Sequence, residues 1–142
     1  NGIFTDPTAC QYISKEIQLE NGASSLKVLV AAHINKDSDI RAFYAINNKP
    51  GFNPIFIPFP GYANLNDRGE VISVQDNDGS SDKLISDTNT YGFDPSKIQF
   101  KDYTFTADQL PAFRSYRIKI VLTSTSQVYV PRMKDLRVIA LA

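Results

Sequence analysis

From Leu26 onward, apolar side chains fall on every second position (Leu26, Val28, Val30, Ala32 and Ile34), with Lys27 and His33 on the alternate set. A period of two sends successive side chains to opposite faces, as in a strand with one face in a core and the other in water. The polar run 35–39 separates this strand from Ile40, Ala42, Tyr44 and Ile46, which repeat the period. The pair predicts a hairpin or a close crossover. Upstream, Ile13, Lys15, Ile17 and Leu19 alternate against Ser14, Glu16 and Gln18, and Asn21-Gly22 ends the strand. Downstream, Tyr116, Ile118, Ile120 and Leu122 alternate against Arg117, Lys119, Val121 and Thr123. Shorter strands are predicted over 128–130 and 136–140, and another from Ile98 and Phe100 through Tyr103 and Phe105. Only 107–113 suggests a brief helical turn, limited by Pro111.

The middle of the chain breaks this pattern. Residues 50–62 hold four prolines and the aromatics Phe52, Phe56, Phe59 and Tyr62. Each Pro removes a ladder donor, so a central strand is excluded here. Either the run folds over an edge and buries its rings, or it exposes them as anchors for a partner. The polar stretch 64–94 follows, with 71–74 as its one strand candidate. Together these segments make one long loop excursion, about 48–96, and long insertions cost little closure entropy.

Composition sharpens the fold class. Twelve Asp stand against three Glu, and there are eight Pro and seven Gly. Asp collects in turns because it competes with its own backbone, whereas Glu favours helix. The expected fold is all-β: an antiparallel β-sandwich, jelly-roll-like, formed as a single domain over 1–142. A sequence that opens on Asn1-Gly2 without Met is expected to be a fragment or module of a larger protein. The formal net charge is zero, which leaves no global field to hold a polyanion, so nucleic acid is not an expected partner. The longest mostly apolar run, 26–34, is too short to span a bilayer, and membrane insertion is not expected either. A lone Cys10 cannot form an internal disulfide.

Chemistry is sparse. Asp76, Asp78 and Asp82, with Ser80 between them and Gly79 allowing a sharp turn, space oxygen donors at alternate positions as a calcium loop does. No Glu closes the register, and any solvated turn has the same composition; the plain loop is the favoured reading and calcium the one cofactor candidate. His33 lies in a strand without a nucleophile elbow, and Cys10 has no paired His. No glycine-rich phosphate loop occurs. An enzyme is not expected. Arg114, Arg117 and Lys119, with Arg132, Lys134 and Arg137 downstream, form a local basic excess, suited to keeping a sheet edge soluble or to meeting an acidic neighbour.

Two blocks carry a resemblance. Tyr12-Ile13-Ser14-Lys15-Glu16-Ile17-Gln18-Leu19 is followed by Leu26-Lys27-Val28 and by Ser38-Asp39-Ile40-Arg41-Ala42-Phe43-Tyr44. Later, the run from Phe113 to Leu122 precedes Val130-Pro131-Arg132-Met133-Lys134-Asp135-Leu136-Arg137-Val138-Ile139-Ala140-Leu141. In order and spacing these segments, within 12–47 and 113–142, resemble a domain recurrent in large virion structural proteins of T4-like tailed phages, especially marine cyanophages. The resemblance implies a non-enzymatic tail, baseplate or fibre-associated domain. It would work through contacts with other virion proteins or as a homo-oligomer, in the virion and, during assembly, in the host cytoplasm. It transfers no functional residues. On this reading Phe52, Phe56, Phe59 and Tyr62 are the partner-binding candidates. The alternative is a module recognising a host-surface glycan through Tyr62, Tyr91 and Phe93.

Overall fold

A computed structural model of the chain describes residues 8–33, 38–47, 51–62, 73–75, 77–84, 101–124 and 132–142. Within them the strands are β1 (Thr8–Ile13), β2 (Ile17–Ala23), β3 (Ser25–His33), β4 (Ser38–Ile46), β5 (Ile57–Pro58), β6 (Lys83–Leu84), β7 (Lys101–Ala107), β8 (Phe113–Ser124) and β9 (Arg132–Leu141). All pairings are antiparallel. The first sheet runs β1-β8-β4-β5, with β2 also on β8, and the second runs β6-β7-β3-β9. The protein is an all-β, two-sheet structure of the sandwich class, as the alternation predicts.

The alternating sets supply the core. Leu26, Val28, Val30 and Ala32 of β3, Ile40, Ala42 and Tyr44 of β4, and Tyr116, Ile118, Ile120 and Leu122 of β8 are all buried together. The register Ile40↔Leu122, Ala42↔Ile120 and Tyr44↔Ile118 places these side chains on one face. A one-residue slip would turn every one of them to water, so burial itself fixes the pairing.

β3 and β4 lie in different sheets, so of the two expected connections their link is the crossover. The chain departs from the sequence expectation in two other places. The N-terminal strand is broken: β1 pairs with the distal half of β8 and β2 with its start, Ile17↔Tyr116. At the break, Ser14 N–H donates to the Ile118 carbonyl at 2.8 Å, and Ile118 N–H donates back to Ser14 Oγ at 2.9 Å. The helical turn expected at 107–113 is absent, and no helix occurs among the described residues. Ala107 ends β7, Phe113 opens β8, and between them Leu110 N–H donates to the Ser24 carbonyl, which ties the link to the β2–β3 corner. The proposed strand 128–130 and residues 71 and 72 lie outside the described residues, and Val74 is exposed without joining a strand.

The β9 edge carries its own guard. Leu29 faces Arg137 and Ala31 faces Lys134, so Asp135 and Leu136 together oppose Val30 in a bulge. Asp135 adopts a φ of 55°, a left-handed conformation that Asp tolerates better than most side chains. A bulge beside charged residues spoils the edge as a template for further strands.

Candidate docking surface

The described parts of the excursion, 51–62 and 77–84, are stitched into the open side of the sandwich. Three backbone groups donate in a ring: Ala42 N–H to the Gly79 carbonyl (3.0 Å), Gly79 N–H to the Phe59 carbonyl (2.9 Å), and Phe59 N–H to the Ala42 carbonyl (3.0 Å). Gly79 has a φ of 92°, and a Cβ there would meet the Ala42 carbonyl oxygen at 3.0 Å, so position 79 accepts only glycine without strain. Farther on, Tyr62 N–H donates to the Ser81 carbonyl and Asp82 N–H to the Thr104 carbonyl. Short β5 lies on the β4 edge and short β6 on the β7 edge, so the excursion joins the two sheets where each would otherwise stop. Pro58 is tolerated because β5 is an edge strand.

Phe59 is the plug of this seam. Its exposure is 0% and its ring makes edge contacts with Tyr44 of the first sheet at 5.0 Å and Phe105 of the second at 6.2 Å. This corrects its place among the partner-binding candidates: the ring is spent on joining the two sheets. The other three differ from it. Phe52 is 72% exposed, while Phe56 and Tyr62 are half-buried. Ile55 beside Phe56 is 79% exposed and was not singled out from the sequence.

The proposed metal loop is held by a guanidinium. Arg41 Nε bonds Asp39 Oδ2 at 2.5 Å, and Arg41 Nη1 pairs with Asp78 Oδ2 and reaches Ser80 Oγ at 3.2 Å. Ser80 N–H and its hydroxyl both donate to Asp78 Oδ1, closing an Asx turn. Burial alone would lower the Arg41 pKa, but the hydrogen bonds and charges of Asp39 and Asp78 outweigh it, and the pKa is raised. Asp76 lies outside the described residues, and Asp82 is half-buried beside β6. Among the described residues no group of three His, Cys, Asp or Glu side chains could hold a metal ion.

The outer face of the first sheet brings together residues that the sequence keeps apart. Register pairs Ile13 with Lys119, Lys119 with Phe43, and Phe43 with Pro58, which makes one row across four strands. Lys119 Nζ lies 5.3 Å from the centre of the Phe43 ring and 5.5 Å from that of Phe56. The Pro-rich run therefore reaches over this face to share the ammonium between two rings. One step along, Arg117 pairs with Ala45, which is 0% exposed on what would otherwise be a wet face, and Arg117 Nε is buried with no hydrogen-bond partner.

The basic residues are divided between the two sheets. Arg114, Arg117 and Lys119 belong to β8, whereas Arg132, Lys134 and Arg137 belong to β9 in the other sheet. Arg114 donates to the Glu20 carbonyl. For the glycan reading, Tyr91 and Phe93 lie outside the described residues, and Tyr62 is bridged to Gln75. Cys10 pairs in register with Leu122, and His33 with Arg132.

The sheets and this surface define the chain as a β-sandwich-class domain with a partly apolar, cation-bearing face. No family model, curated protein or solved structure matches the chain.

Proposed function

We propose that the chain is a non-enzymatic docking module that contributes to a larger assembly through protein–protein contacts. The observation that carries this reading is the division of labour within one segment. Phe59 is locked in the seam while Phe52 and Ile55, a few residues before it, stand in solvent. Large apolar side chains on an anchored run lose little further conformational entropy when a partner covers them, as contact anchors should. The resemblance of 12–47 and 113–142 to virion structural domains supports another virion protein, or a second copy, as the partner and the phage particle as the site of action.

Photo-crosslinking tests the proposal. With benzoylphenylalanine in place of Phe52 or Ile55, assembly of the native particle should yield discrete covalent adducts. The same label at exposed Asp108 should yield none. Equal labelling at all three positions, or none at any, overturns the reading.

A further inference from the structure

We infer that the outer face of the first sheet, where Lys119 and Arg117 stand among Ile13, Phe43 and Phe56, docks an acidic, apolar-flanked segment of a partner protein. This inference rests on the docking reading and names the chemistry of the partner.

Charge carries it. Arg41 forms ion pairs with Asp39 and with Asp78. Asp39, the carboxylate nearest to this row on β4, is committed to Arg41, and Glu16 accepts a hydrogen bond from Gln18. Lys119 and Arg117 thus have no carboxylate partner among the described residues. They sit two apart on β8, on one face, roughly 7 Å apart along the strand. The Phe43 and Phe56 rings fix the ammonium in place, so the cost of ordering it is already met before a partner arrives. Ile13, 46% exposed, adds apolar surface at the β1 end of the row. A carboxylate facing each cation, with aliphatic or aromatic side chains between, complements this face in both charge and polarity. Two cations on a chain of zero net charge, one of them set between two rings, favour a peptide over a polyanion.

The test is fluorescence anisotropy on the full chain with three labelled probes: a short peptide alternating Glu with Leu, its Lys-Leu counterpart, and an oligothymidine. The Glu-Leu peptide should bind, and added salt should weaken it. The double variant R117E/K119E should lose about tenfold in affinity for the acidic peptide and gain affinity for the basic one. Should that variant not fold, by circular dichroism, Lys119→Gln provides the same comparison, together with chemical-shift changes at Ile13 and Phe43 of the wild type. Equal binding of the two peptides, tighter binding of oligothymidine, or no binding overturns the inference. Failure of the peptides with intact crosslinks from Phe52 and Ile55 removes the acidic partner but leaves the docking reading. Failure of both removes both.

Discussion

Gly61 lies against Ser80 so closely that a Cβ built on it would stand 1.9 Å from the Ser80 carbonyl oxygen. The obstacle is backbone, held by the Asx turn at Asp78 and by the bond from Tyr62 N–H to the next carbonyl, so it cannot swing aside as a flexible side chain would. Gly61→Ala should therefore push apart the two arms of the excursion. A loss of about 1–3 kcal/mol is expected, in the range of overpacked sites, read from urea denaturation midpoints. An unchanged midpoint would mean that the two arms are not packed as described.

Phe59 and Phe52 are seven residues apart in one apolar run but should respond oppositely to truncation. Phe59→Ala empties a fully buried site between Tyr44 and Phe105 and should cost about 3–5 kcal/mol. Phe52→Ser changes an exposed ring and should stay within roughly 0.5 kcal/mol of wild type. Equilibrium denaturation of the two variants, run side by side, checks this, and equal losses would contradict the seam.

That contrast also marks where the sequence is readable. Leu26 to Ala32, Ile40 to Tyr44 and Tyr116 to Leu122 announce their faces because a strand packed on one side must alternate. The run 50–62 has no such period, since its prolines break the ladder, and nothing local separates buried Phe59 from exposed Phe52. The sheet to which each strand belongs is equally silent. The alternation of β3 and β4 is the same whether they pair in a hairpin or, as here, cross between sheets. The docking row is assembled from β1, β8, β4 and β5, so it exists only in the register. The basic residues of β8 and β9 are neighbours along the chain but belong to different sheets. Ile55 gives no signal because an aliphatic residue between prolines looks the same buried or exposed.

Tyr103 gives the fold an alkaline limit. Burial, with a smaller contribution from the charge of Asp39, pushes its phenol up to about 12 from 10.0. Burial also raises Tyr44 and Tyr116. A raised phenol pKa means that the folded state holds the proton more tightly than the unfolded one. The resulting stability is complete below pH 10 and is lost as pH climbs through about 12. For Tyr103 the gap corresponds to roughly 2–3 kcal/mol. Tyr103→Phe should flatten this decline while Tyr44 and Tyr116 keep part of it, as denaturant midpoints measured from neutral pH to pH 12 will show. A variant whose alkaline slope matches wild type would refute the assignment.

Arg41 decides whether the acidic loop meets a metal. Its guanidinium already holds Asp39 and Asp78, and Ser80 occupies the other oxygen of Asp78. A calcium ion at Asp78 would have to displace a cation that is tethered, partly buried and hydrogen-bonded, and among the described residues no group of three acidic, His or Cys side chains awaits it. Millimolar calcium or EDTA should therefore leave the melting temperature of the wild type unchanged. Arg41→Ala removes the countercharge shared by Asp39 and Asp78; because the pairs are partly exposed, each contact removed should cost only about 0.2–1 kcal/mol. In that variant calcium should recover part of the loss, since the two carboxylates then attract whatever cation is supplied. Differential scanning calorimetry of both proteins, with and without the ion, is the measurement. A calcium-dependent rise in the wild type would show that the loop binds metal despite Arg41. No response in either protein would show that Asp39 and Asp78 need no countercharge.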